Sequence, residues 1–196
     1  MLNVGVFIFN EIELLDFAGP FEVFSVSSSL SQDELFHVFT ITEDGKEIKS
    51  VNGLKVLPDY SFSDHPHIDV LIIPGGIGSK AEMQKESVLR WVTINYNSSK
   101  LTMSVCSGAR ILGILGLLDG VECITHHEVI PDLIEIAPKA IIKPGNRFLG
   151  KDKLYTSAGI SAGIDLSLHV VKMIYGSSVE AQTRVYMEYE DWEKYI

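Results

Sequence analysis

The sequence predicts an α/β fold, a mainly parallel sheet with helices on both faces, and three observations point to it. Short apolar runs rich in β-branched residues alternate with longer stretches of helical spacing. Two of those runs end in glycine-containing turns, after Ile73 and after Val105. No internal repeat, linker or low-complexity tract divides the 196 residues, a length that fits one domain with a sizeable core.

The elements follow in order. Residues 2–9 are apolar with β-branched and aromatic side chains, as a buried strand should be. A helix is expected over 14–28, with Pro20 near its start, where proline is tolerated. Residues 36–42 read as a second strand, and 46–56, broken by Asn52-Gly53, as a small hairpin. A third strand over 69–73 stops at Pro74-Gly75-Gly76, and a helix over 88–96 leads to a fourth strand at 101–105. The helix after Gly108 is apolar nearly all round, reaches Leu118 and is closed by Asp119-Gly120. A short strand at 122–125, a helix from about 129 and a hairpin at Gly145-Asn146 come next. A strand at 154–157 and helices over 162–174 and from 179 to the end complete the chain. Residues 1–196 thus form one domain, a flavodoxin-like three-layer sandwich with small β-hairpins.

Composition narrows the partners. Hydrophobic residues make up 46% and charged residues 21%, ordinary for a soluble globular protein. Acidic residues outnumber basic ones 26 to 16, a net charge of −10 that repels nucleic-acid backbones and anionic lipid. The apolar start lacks a basic leader and carries Glu11, Glu13 and Asp16, unlike a signal peptide. No run reaches the ~18 apolar residues of a membrane span. Two cysteines, Cys106 and Cys123, are too few for a disulfide scaffold, so a reduced, cytoplasmic protein is expected.

Cys106 stands out chemically. Ser104-Val105-Cys106-Ser107-Gly108 has the small–x–nucleophile–x–Gly pattern of a nucleophile elbow. A helix N-terminus there favours the thiolate and is expected to lower the thiol pKa. The competing reading is a small buried hydrophobe. Gly75 and Gly76 let backbone amides approach a ligand, or merely end a strand. Asp16, in an apolar stretch, is either an acid with a raised pKa or a helix N-cap. His126 is a candidate base for Cys106, or a residue that simply ends a strand, as is its neighbour His127. Cys123 reads as structural. His65 and His67 lack a third ligand, so no metal site is expected. The spacing after Gly76 is not that of a P-loop, and no Gly-x-Gly-x-x-Gly follows the first strand.

Taken together these segments resemble the ThiJ/PfpI superfamily, whose fold is related to class I glutamine amidotransferases. The similarity spans nearly the whole chain. It rests on Leu15-Asp16-Phe17-Ala18-Gly19-Pro20-Phe21-Glu22-Val23-Phe24, Ile73-Pro74-Gly75-Gly76, Val105-Cys106-Ser107-Gly108-Ala109, Gly116-Leu117-Leu118-Asp119-Gly120, Thr125-His126 and Thr156-Ser157-Ala158-Gly159-Ile160-Ser161-Ala162-Gly163-Ile164-Asp165. The branch it resembles most holds bacterial isocyanide hydratases and the amidase-like regions of AraC-type regulators.

The resemblance implies that Cys106 is the nucleophile and that the acid at position 16 contacts its thiol. It also implies that backbone amides of Gly75, Gly76 and Ser107 line an anion site, and it places His126 near the cysteine. Protease-type members carry histidine after the cysteine; Ser107 stands there instead, which argues against peptidase activity. The regulators continue into a DNA-binding region, for which this chain has too little sequence after the domain.

The leading expectation is a hydratase acting on a small isocyanide with Cys106, Asp16 and Ser107, without cofactor or metal. Alternatives are an amidase, hydrolase or glyoxalase-like enzyme on small carbonyl compounds, and a non-catalytic thiol or ligand sensor. A homodimer is expected from the resemblance and from the general prevalence of symmetric dimers.

Overall fold

In the computed structural model, which describes residues 1–195, the chain runs β1 (Leu2–Phe7), α1 (Leu14–Ser29), β2 (Phe36–Thr42), β3 (Ile48–Lys49), β4 (Lys55–Val56), β5 (Tyr60–Ser61) and β6 (Val70–Ile73). It continues through α2 (Ser79–Glu82), α3 (Glu86–Ser98), β7 (Leu101–Ser104), α4 (Ala109–Ile114), β8 (Glu122–Cys123), α5 (Ile130–Ile136) and β9 (Ile141–Ile142). Then come β10 (Phe148–Lys151), β11 (Leu154–Ser157), α6 (Ala162–Tyr175) and α7 (Ser177–Tyr186).

The main sheet has the order β10-β11-β7-β6-β1-β2-β5 and is parallel except for β10, which pairs antiparallel with β11. Its central strands are hidden on both faces. Every residue of β6 and β7 is buried; β6 is accordingly apolar throughout, while β7 alternates Leu101 and Met103 with the buried hydroxyls of Thr102 and Ser104. Fully burying each Ile, Leu or Val side chain there contributes about 1.5–3 kcal/mol. The helices α1, α6 and α7 pack together on one face. Right-handed crossovers from β6 and β7 carry the intervening helices to the other.

The order in which strands are added reverses about β1, which pairs in parallel with β2 on one side and β6 on the other. Loops leaving β1 and β6 therefore diverge and open a crevice at their carboxyl ends, where sites form in such sheets. The loops after β1, β6, β7 and β11 meet there. The β3–β4 hairpin buttresses the first of them: Glu11 N–H donates to the Lys49 carbonyl at 2.7 Å and Val51 N–H to the Ile12 carbonyl at 3.0 Å.

Several boundaries depart from expectation. Pro20 lies inside α1, not near its start, and removes the helical N–H that would bond the Asp16 carbonyl. The α4 helix ends at Ile114, well before Asp119-Gly120. Gly116 (φ 70°) closes it, with Leu117 N–H donating to the Leu112 carbonyl at 3.1 Å. The expected hairpin at Gly145-Asn146 is a turn between strands of different sheets, and the hairpin lies at Asp152-Lys153 between β10 and β11. The last helix stops at Tyr186, followed by a short 3-10 turn over Trp192–Tyr195. Among the described residues no helix is long and apolar enough to cross a membrane.

Candidate active site

Cys106 occupies the turn between β7 and α4 at φ 55°, a left-handed conformation that a non-glycine residue holds only when its surroundings enforce it. Three contacts do so. Its N–H donates to the Ala158 carbonyl at 3.1 Å, its carbonyl accepts the Thr125 hydroxyl at 2.7 Å, and Val105 N–H reaches the Ile73 carbonyl at 3.0 Å. A Cβ on Gly108 would collide with the Ile73 carbonyl, so the final glycine of the elbow is sterically required.

Asp16 comes to this turn from the first turn of α1. It is the third helical residue and caps nothing, which removes the N-cap reading. Its side chain is wholly buried, with Oδ2 accepting the Gly75 N–H at 2.9 Å and Oδ1 without a hydrogen-bond partner among the described residues. Burial is the main force on its titration and lifts the carboxyl from 3.8 to about 7. The Gly75 hydrogen bond opposes that rise, the nearby charge of Glu13 adds to it, and a hydrogen bond from Cys106 lowers it slightly.

The thiol moves opposite to the helix-terminus expectation. Desolvation and the Asp16 charge push Cys106 up to about 12, outweighing the backbone N–H groups of Ile160 and Ser107 that bond the sulfur and favour the thiolate. A partial dipole at a short 3-10 turn is weaker than a full negative charge beside a buried sulfur. Between these two values the Cys106–Asp16 pair holds a single proton, and its titration belongs to the pair. The nucleophilic form is the one with that proton on Asp16.

The glycine turn is used by the protein itself. Gly75 N–H serves Asp16, and Gly76 N–H donates to the Ser107 hydroxyl at 2.9 Å. Ser107, buried, also donates to the Gly76 carbonyl at 3.1 Å. Of the three amides expected to line an anion site, those of Gly75 and Gly76 hold Asp16 and Ser107, while Ser107 N–H, joined by Ile160 N–H, serves the sulfur. A Cβ on Gly75 would lie 2.5 Å from Ser107 N and 2.8 Å from Asp16 Oδ2, so only glycine permits this approach.

His126 is half-buried, accepts the Glu128 N–H at 3.3 Å through Nδ1, and lays its ring over Gly159. The influences that shift Cys106 and Asp16 are burial, each other, Glu13 and the amides of Gly75, Ser107 and Ile160, not His126. With His127, Asn146, Arg147, Gly159 and Ile160 it lines a groove of about 380 Å³ beside the elbow. A larger hollow of about 540 Å³ between residues 117–122 and 149–154 contains none of these groups. Cys123 is wholly buried and pushed up to about 11 by desolvation, as a structural cysteine should be. His65 accepts the Trp91 indole N–H at 2.9 Å. Among the described residues no cluster of His, Cys, Asp or Glu is arranged to hold a metal ion.

Sequence reasoning assigned no role to Ile160, Thr125 or Arg110. Ile160 sits at φ 43°, an outlier for a β-branched residue, and aims its N–H at the sulfur. The Ser157-Ala158-Gly159-Ile160 segment entered the sequence reading only as part of the family resemblance, which does not say where its amides point. Arg110 is a charge in an otherwise apolar helix, and it is 4% exposed.

Comparison with known proteins places the chain in a family. The sequence pattern of the DJ-1/PfpI family matches residues 3–173. An isonitrile hydratase from Pseudomonas putida is 30% identical over 192 residues, covering 96% of this chain and 78% of that protein. The transcriptional regulator GbdR of Pseudomonas aeruginosa is 26% identical over 188 residues, and this chain spans 51% of its length. A ThiJ/PfpI family protein from Pseudomonas syringae superposes with TM-score 0.86 at 24% identity, covering 96% of this chain and 75% of that one. Drosophila melanogaster DJ-1beta superposes at 0.82 with 18% identity, covering 95% and 97%.

Proposed function

This chain belongs to the DJ-1/PfpI family, and from that premise we propose that it is a cysteine-dependent hydratase of small isocyanides, with Cys106 as nucleophile and Asp16 as general acid and base. The observation that carries the reading is the one-proton pair: an elbow thiol beside a buried carboxyl that titrates at about 7. A group poised there both takes and returns a proton near neutrality.

Asp16 accepts the thiol proton as sulfur attacks the terminal isocyanide carbon. A C–S bond forms, and the carbon's electron pair takes the proton from Asp16, giving an S-linked thioimidate. Water then adds to that carbon, its proton passing to the Asp16 carboxylate and on to nitrogen. The C–S bond breaks, an N-substituted formamide leaves, and the thiol recovers its proton from the remaining hydroxyl through Asp16. The Ile160 and Ser107 N–H groups stabilise the sulfur anion whenever it forms. Ser107 Oγ holds the glycine turn, and His126 forms a wall of the substrate groove, outside the proton transfer.

The P. putida relative at 30% identity supports the substrate class, and Ser107 in the place of a protease histidine supports the absence of peptidase activity. Catalysis is the favoured reading over sensing because a buried carboxyl able to take and return a proton near neutrality stands beside Cys106, which turnover needs and simple oxidation of the thiol does not. The reading includes a homodimer in the cytoplasm, the former testable by sedimentation. Aryl and alkyl isocyanides should be converted to formamides by the wild type and not by Cys106→Ala. Wild-type inactivity across a broad panel, with the thiol intact by mass, would overturn the assignment.

A further inference from the structure

Arg110 projects from the first turn of α4, four residues after Cys106, and its side chain is 5% exposed. Nη2 pairs with Asp132 Oδ2 on α5 at 2.6 Å, and Nη1 donates to the Ser79 hydroxyl at 3.0 Å. Ser79 is itself wholly buried. Its hydroxyl lies 2.8 Å from the Gly76 carbonyl and 3.3 Å from Ser107 Oγ. Burying a guanidinium is expensive unless it is paired and hydrogen-bonded, and Nε here has no partner among the described residues. The contact to Ser79 satisfies a second buried donor and ties the guanidinium to the glycine turn as well as to α5.

The direction of these hydrogen bonds follows from the guanidinium. Arg110 is always a donor, so Ser79 Oγ accepts from it and must send its own hydrogen onward to the Gly76 carbonyl or to Ser107. Ser107 Oγ in turn accepts the Gly76 N–H. The peptide so clamped follows Gly75, whose N–H bonds Asp16.

We propose that Arg110 is a positioning residue: through Ser79 and Ser107 it clamps the Gly75–Gly76 peptide so that the Gly75 N–H stays aimed at the Asp16 carboxyl. This rests on the one-proton pair underlying the proposed function, not on the substrate. Loosening the clamp weakens the Gly75 hydrogen bond, which holds Asp16 below the value burial alone would set. Glu13 and Cys106 are the other groups that act on Asp16, and Asp132 with Lys80, 3.4 Å from the same carboxylate, faces Arg110.

The test reads Cys106 itself. Its alkylation by iodoacetamide, followed by peptide mass spectrometry across pH, should rise through about 7 in the wild type as the pair loses its first proton. In Arg110→Met that limb should move upward by about 0.5–1 pH unit, the size of one weakened hydrogen bond. Ser79→Ala, which keeps the Arg110–Asp132 pair and is the milder change, should shift it the same way, and the double variant should shift it no further. A folded Ser79→Ala with the wild-type limb, or fully additive shifts in the double variant, would overturn the clamp. Separated limbs in a protein that hydrates no isocyanide would sink the hydratase reading and support the clamp.

Discussion

Replacing Asp16 by Asn should stabilise this protein at alkaline pH while abolishing its chemistry. In the native chain the carboxyl titrates at about 7, against 3.8 for the unperturbed group. Below pH ~4 it is protonated in both folded and unfolded states. Between ~4 and ~7 the folded state keeps a proton that the unfolded chain has released, so stability falls as pH rises and then levels off. That displacement of about 3 pH units, at about 1.4 kcal/mol each, corresponds to about 4 kcal/mol lost by pH 8. Asn has the same shape, still accepts the Gly75 N–H and carries no charge to desolvate. Urea unfolding of both proteins at pH 5 and pH 8 isolates the effect. Only part of the penalty has developed at pH 5, so the stability of the variant relative to wild type should increase by about 2–3 kcal/mol between the two pH values. Turnover should meanwhile disappear, because Asn cannot take the thiol proton. A stability difference that stays the same at both pH values, or that moves against the variant at pH 8, would refute the desolvated carboxylate and the one-proton pair built on it.

Gly75→Ala places a methyl 2.5 Å from Ser107 N and 2.6 Å from Ser107 Oγ, and should cost about 1–3 kcal/mol by thermal or urea unfolding, with a larger loss of turnover. His126→Ala removes a weak turn cap worth about 0.5–1 kcal/mol, and should leave the pH at which Cys106 begins to alkylate unchanged. A displaced alkylation limb in that variant would bring His126 into the proton transfer.

What was legible in the sequence was what depends on neighbours along the chain. The alternation of short runs with helical stretches located β2 and β11 residue for residue, because β-branched and aromatic residues concentrate where a pleated, packed surface accommodates them. The elbow around Cys106 was equally visible, since a sharp strand-to-helix turn demands small residues at fixed offsets. Asp16 and Gly75 were singled out individually, but their contact joins positions 59 apart and exists only because β1 and β6 lie side by side.

The protonation state of the site was decided by tertiary structure alone. A helix terminus read locally predicts a lowered thiol pKa, while burial beside Asp16 raises it, because desolvation and Coulomb repulsion depend on what packs around the sulfur. The positive φ of Ile160, the displaced hairpin at Asp152-Lys153 and the burial of Arg110 have the same origin. Each is a compromise enforced by distant contacts. The sequence by itself determined the sheet, the elbow and the identity of the thiol; only the fold determined which groups share its proton.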